Sequence, residues 1–389
     1  MQEKALLESR GHDVELFSVN NNSFSGVLRT TSIACGTLYS IKSRALVEQK
    51  IAGFVPDVVH VHNFFPQLSP SVYYACLGSQ VPVVQTLHNF RLICPNALLF
   101  RKGKPCESCI DKSFAWPGVA HACYRNSHLG TAVVAAMLGA HRISNTWASA
   151  VHAFISLSNF ARSRFIAGGF PQSRLFVKPN FVMPDPLVGS RSGGYAIFIG
   201  RLSEEKGIEM LLSAWAHLPG RKLKIVGDGP LRNVVERTNL RNIEFLGRKP
   251  VQEVLELLGA AEFLVVPSQC YENFPMVIVE AFAKGVPVLG SDRGSIRELI
   301  ENGRTGILFA PDNKQDLAHK AEWLFSRRDE LQKMSVAARL TFEAKYTADD
   351  NYKQLMKIYE SAISTSQGVA RVSWESRSRA GECSPASGG

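Results

Sequence analysis

AEFLVVPSQCYENFPMVIVEAFAKGVPVLGSD (261–292) is the stretch on which the fold turns. Its first part, 261–268, is an unbroken apolar run rich in branched residues, the pattern of a strand covered on both faces. Pro275 suits the first position of a helix, so a helix is expected to begin near Phe274 or Pro275. The remainder reads as the end of that helix, a turn, and a second strand over 286–292. Strand, helix and strand in this order are the repeating unit of a doubly wound parallel α/β sheet.

The alternation continues in both directions. Candidate strands lie at 14–19 (VELFSV), 57–64, 81–89 and 151–158, then at 195–200, 222–229, 243–247 and 306–312. Helical spacing marks 207–218 and 251–260 between them. A chain of 389 residues exceeds one ordinary core. The polar, Gly-rich DPLVGSRSGG (185–194) supplies a boundary between domains over 1–188 and 189–349. A last helix is expected over 350–364, followed by a disordered Ser/Gly-rich tail over 365–389. The opening, MQEKALLESRGHDVELF, begins inside a helix, whereas a doubly wound domain normally opens on a strand. On that reading the first strand is missing and the chain is truncated at its N-terminus.

Composition narrows the class. With 45% hydrophobic and 20% charged residues, the chain has the profile of a soluble globular protein. Its longest apolar candidate, TAVVAAMLGA (131–140), is too short to cross a bilayer and runs into His141 and Arg142. No signal-peptide layout is evident, so a cytoplasmic, reducing setting is expected, in which eight cysteines are not a disulfide framework. Residues 1–188 carry 17 Lys and Arg against 9 Asp and Glu, while 189–389 carry 27 against 25. A basic first half suits either solubility or an anionic partner, such as the inner membrane face or a phosphate-bearing acceptor. The dispersed basic residues form no nucleic-acid-binding module.

Three loops carry candidate chemistry. In FIGRLSEEKG (198–207), Arg201 and Lys206 follow a strand end, where open α/β sheets bind ligands, and two cations there suit a diphosphate. Alone, the same residues read equally as a helix cap with surface ion pairs. In VGDGP (226–230), Gly227, Asp228 and Gly229 permit close backbone approach to a ligand, or simply form a turn. In YENFPMVIVE, Glu272 precedes the expected helix, and Glu280 lies about one and a half turns inside it. The helix start between them offers free N–H groups to a phosphate. One carboxylate would then grip a hexose and the other a ribose, which accounts for the spacing. The plainer alternative is a capping Glu272 and a solvated Glu280, against which stands the apolar run MVIVEAFA.

Together, FIGRLSEEKG, VGDGP, FLGR, VVPS, ENFPMVIVEAFAKGVPV and RELIENGRTGILF resemble the family-4 retaining glycosyltransferases of GT-B architecture, over about 5–365. The resemblance implies two Rossmann-like doubly wound domains facing a cleft, with the last helix crossing back to the first domain. It implies a metal-independent hexosyltransferase that uses a UDP- or GDP-sugar donor and a glycan or lipid-linked acceptor, in cell-surface polysaccharide or glycolipid synthesis. Arg201 and Lys206 would neutralise the diphosphate, Glu272 would touch the donor sugar and Glu280 the ribose. Asn273, Phe274, Pro275 and Met276 would line the donor site through their backbone. TLHN (86–89) resembles the family's strand end, which assigns His88 to a place above the donor sugar. No cofactor is required on this reading, and no Asp-x-Asp metal motif occurs. A sugar-nucleotide epimerase of the same architecture and an inactive nucleotide-sugar-binding remnant are the alternatives.

An insert-like segment, 94–123, departs from the family pattern. Its Cys94, Cys106, Cys109 and Cys123 have the composition of a four-cysteine site for zinc or another structural metal, or of four free thiols or adventitious disulfides.

Overall fold

The computed structural model describes residues 2–19 and 36–381, with side chains to residue 366. The first domain carries a sheet of four parallel strands: β1 (Val59–Val61), β2 (Val83–Leu87), β5 (Ala153–Ser156) and β6 (Leu175–Val177), in the order β1-β2-β5-β6. Between β2 and β5 a small antiparallel hairpin, β3 (Phe100–Arg101) and β4 (Lys104–Pro105), projects from the Cys-rich segment. Central β2 and β5 are buried at every position, as strands covered by helices on both faces must be.

The second domain holds β7 (Tyr195–Ile199), β8 (Lys222–Val226), β9 (Ile243–Gly247), β10 (Phe263–Val266), β11 (Val288–Ser291) and β12 (Gly306–Phe309). They pair in parallel in the order β12-β11-β10-β7-β8-β9, the doubly wound arrangement with its reversal between β7 and β10. The helix Ile208–Trp215 covers this sheet with an apolar face that buries Ile208, Leu211 and Trp215 completely. Val251–Ala260 is helical over the expected range.

The final helix, Ala348–Gly381, packs against β2 and β5 of the first sheet, so the chain does cross back. One apolar cluster runs from Val84 and Ile155, through Leu355, Ile358 and Ala362, to Ile278 and Val288 of the second domain. The helix continues past the expected end at 364. Extending a docked helix adds a hydrogen bond per residue without a fresh nucleation cost. Residues 382–389 of the expected tail lie outside the described residues.

One expected strand does not form. Residues 14–19 join no sheet. Strand propensity counts only where a ladder partner is available; here the segment is held by side chains, with Val14 and Phe17 packed on the cores and Glu15 paired to Lys50 at 2.5 Å.

Candidate active site

The loops that follow β7, β8 and β10 meet at the reversal of the strand order. Leu202 donates its N–H to the Asp228 carbonyl, and Leu231 donates to that of Leu202, each across 3.0 Å or less. Gly227 and Gly229 are required there. A Cβ on Gly227 would stand 1.8 Å from the Gly200 carbonyl oxygen, and one on Gly229 2.4 Å from that of Leu202. The glycines therefore serve contact between loops as well as any approach to a ligand. Asp228 turns back into its own loop, accepting from the Gly229 N–H at 2.8 Å and facing Arg232 at 3.6 Å.

Gly207 (φ +73°) performs the same service on the other side: its Cα passes so close to Pro267 that a Cβ would lie 2.0 Å from the carbonyl oxygen. Gln269 N–H donates to the Glu205 carbonyl at 2.9 Å. These contacts bring Lys206 to Glu272, with Nζ to Oε1 at 2.6 Å, and Ser268 Oγ donates to the same Oε1 at 2.6 Å. Both partners are largely buried. Burial disfavours the Lys206 ammonium, but the adjacent Glu272 carboxylate outweighs it and raises its pKa. Oε1 is thus doubly engaged, which leaves Oε2 open, and the ammonium retains two further N–H donors. Arg201 is exposed and makes no hydrogen bond or ion pair among the described residues.

The helix after Glu272 spans Met276–Ala283, with Pro275 as its N-cap. The start lies one to two residues beyond the expected one, because Pro275 keeps an extended ψ of 100° and serves as the cap, its carbonyl accepting from the Ile278 N–H at 3.0 Å. Glu280 lies half-buried on this helix with no hydrogen-bond partner among the described residues, and burial raises its pKa. Phe274 is buried in the core beside Tyr346, so only its backbone can serve the site. Asn273 has a role the sequence does not show. Its Nδ2 donates to the Leu87 carbonyl of the first domain at 2.7 Å, placing the domains in contact immediately beside His88.

His88 follows β2, and His62 follows the neighbouring β1. His62 Nδ1 lies 2.8 Å from His88 Nε2, and His62 Nε2 lies 3.1 Å from Glu3 Oε2. Glu3 also accepts from the fully buried Lys178 at 3.0 Å. Burial alone would raise the Glu3 pKa; the His62 hydrogen bond and the charges of the His60 and Lys178 side chains outweigh it and hold the carboxyl well below its usual range. Burial, then the charge on His62, lowers His88 to about 4, although its side chain is exposed to solvent, which softens that effect. The result is a chain, Glu3–His62–His88, that can fix the ring and tautomer of His88. Glu3, His60 and His62 also bring their ligand atoms within 4.8 Å of one another. They do not suit a cation, because the Lys178 ammonium occupies Glu3 while Thr86 and Tyr359 occupy His60.

Sequence reading names both cations, both carboxylates and His88, and misses Glu3, His62, Lys178, Ser268 and the side-chain role of Asn273. His60 and His62 were open to detection, since alternation along a strand puts them on one face. Glu3 lies far away in sequence and gives no signal. The four cysteines of 94–123 line one cavity together with Asn96 and Gly118.

Residues 191–341 match the family described as Glycosyl transferases group 1, and residues 4–185 match Glycosyltransferase Family 4. An uncharacterised glycosyltransferase of Methanocaldococcus jannaschii is 32% identical over 193 residues, covering 49% of this chain and 54% of that protein. The sulfoquinovosyl transferase SQD2 of Arabidopsis thaliana is 30% identical over 148 residues, covering 37% and 29%. The chain spans about half, or less, of the length of these curated relatives. Among solved structures, Anabaena HepE in complex with UDP-glucose superposes with a TM-score of 0.64 at 19% identity, covering 92% of this chain and 88% of that one. A glycosyltransferase from Rickettsia africae gives 0.61 at 17%, covering 92% and 87%. These likenesses establish a shared fold.

Proposed function

Because the chain belongs to the glycosyltransferases of group 1 and family 4, we propose that it transfers a hexose, with retention and without a catalytic metal, from a nucleotide diphosphate sugar to a glycan or lipid-linked acceptor. The observation that carries this reading is the cluster at the strand-order reversal. Lys206 is locked to Glu272, while Arg201 and Glu280 have no partners among the described residues, around the start of the helix Met276–Ala283. UDP-glucose is held by HepE, which shares the fold, and supports a donor of this class.

In this scheme Arg201, the two remaining Lys206 donors and the helix start receive the diphosphate, neutralising charge as the sugar–phosphate bond breaks. Glu272 Oε2 accepts from a sugar hydroxyl, and Glu280 accepts from the ribose diol. His88, oriented by His62 and Glu3, closes over the sugar from the first domain. The departing phosphate takes the acceptor's proton on the same face, so orientation and leaving-group stabilisation carry the rate. The basic first half suits a phosphate-bearing acceptor at a membrane surface. No described helix is long and apolar enough to cross a membrane.

Calorimetry with UDP- and GDP-sugars tests the site. We expect one nucleotide series to bind and Glu280→Ala to weaken it at least ~10-fold, as loss of a paired carboxylate–diol contact requires. Absence of binding by any nucleotide would overturn the reading. Retention is checked by assigning the anomeric configuration of the product by NMR.

A further inference from the structure

The Cys-rich segment 94–123 lies outside the donor chemistry, yet it is built as a ligand set. Cys94, Cys106, Cys109 and Cys123 come from three separate turns and face a single cavity, and all four are free thiols. Cys106-x2-Cys109 follows directly on the β3–β4 hairpin, and Cys106 N–H closes that turn onto the Leu99 carbonyl at 2.8 Å. Side chains beside the cavity hold two of the sulfurs in place: the Cys94 thiol donates to Asn96 Oδ1 at 2.9 Å, and the Cys106 thiol to Ser108 Oγ at 3.4 Å. Gly118 leaves the room, since a Cβ there would stand 2.9 Å from Pro95 and 3.5 Å from Cys109 Sγ. Ala97, Leu99, Lys102 and Ala122 all hold positive φ, a backbone that persists only where surrounding structure fixes it.

We propose that these four cysteines bind one structural Zn2+ as a tetrathiolate. Each Zn–S bond forms as the corresponding thiol loses its proton to solvent, and the resulting anionic cluster is flanked by the guanidinium groups of Arg101, beside Cys106, and Arg91, beside Cys94. Among the described residues the set with ligand atoms already within 4.8 Å of one another is Glu3, His60 and His62, so binding the ion would require the four sulfurs to close on it. The metal then secures a wall of the donor cleft. Glu107, inside the Cys-x2-Cys turn, pairs with Arg164 at 2.7 Å; the Arg164 guanidinium lies over Phe160, whose ring packs on Tyr271, the neighbour of Glu272. At the hairpin tip, a Cβ on Gly103 would lie 3.5 Å from Glu204 of the Arg201–Lys206 loop.

Elemental analysis of the purified full chain tests the site independently of nucleotide binding. We expect about one zinc per chain, released on titration with a mercurial, and tetrahedral thiolate-to-cobalt bands after exchange with Co2+. Cys106→Ser with Cys109→Ser should abolish both signals. Should that variant fail to fold, the wild-type stoichiometry and cobalt spectrum still decide the question. Wild-type protein free of metal, four cysteines joined as disulfides under non-reducing mass spectrometry, or iron in place of zinc would each overturn the proposal.

Discussion

His60 shows how a single side chain can set a property of the whole site. Its Nδ1 lies 2.8 Å from the Tyr359 hydroxyl and its Nε2 2.7 Å from Thr86 Oγ1, so both ring nitrogens are spoken for inside the protein. Burial, reinforced by the charge on His62, lowers its pKa to about 3. An unfolded histidine titrates near 6.5, so between those values the unfolded chain binds a proton that the folded chain refuses, and stability falls as pH falls. For His60 this amounts to about 1–2 kcal/mol between pH 7 and pH 5. Urea unfolding over that range should show the loss, and His60→Gln should flatten the profile. A profile equally steep in the variant would mean that another group carries the dependence. Below about 4.5, protonation of Glu3 adds a second loss of the same sign, since its folded pKa also lies below its usual value. At this scale the sequence is readable wherever a residue sits in a loop after a strand, as with Lys206 and Glu272. It is silent where pairing depends on distant chain, as with Glu3 and Lys178.

The elements are legible for a different reason. Strands β7, β10 and β11 are fully or mostly buried apolar runs, and their hydrophobicity alone announces them. β6, with only Leu175 fully buried, and the two-residue arms of the hairpin are too short to generate a pattern. The same logic separates glycines that look alike in sequence. Gly207 holds a left-handed φ of +73° with no room for a Cβ against Pro267, whereas Gly53, inside the helix Ile41–Phe54, faces nothing within 4 Å. We expect Gly207→Ala to destabilise by about 2–4 kcal/mol and to displace Lys206 from Glu272. Gly53→Ala should be neutral or stabilise by up to about 1 kcal/mol, through helix propensity. Thermal unfolding of the two variants side by side checks both signs, and equal effects would show that close packing at Gly207 is not what fixes the loop.

Across the whole molecule, the two sheets are joined by the last helix and by a short polar seam. Ser158 Oγ lies 2.7 Å from Ser295 Oγ and donates to the Asn273 carbonyl at 3.3 Å. The Glu298 carboxylate of the second domain accepts from the backbone N–H groups of Asn159 and Phe160, each at 2.8 Å, at the start of the first domain's helix Asn159–Ala167. None of this is legible in sequence, because a seam between domains has no periodicity and its partners lie more than a hundred residues apart. Its consequence follows from the division of labour proposed for the site. Arg201, Lys206, Glu272 and Glu280 all belong to the second domain, whereas His88 belongs to the first. A carboxylate at a helix N-terminus is worth about 1–2 kcal/mol in a partly buried setting. Glu298→Ala should therefore loosen the seating of His88 while leaving nucleotide affinity within about twofold of wild type. Turnover should fall by roughly 10-fold, the equivalent of that lost contact. Calorimetry with the nucleotide and turnover on the same preparation separate the two quantities. A parallel fall in nucleotide affinity would show that the donor site is assembled by both domains, and that closure of the seam precedes binding rather than following it.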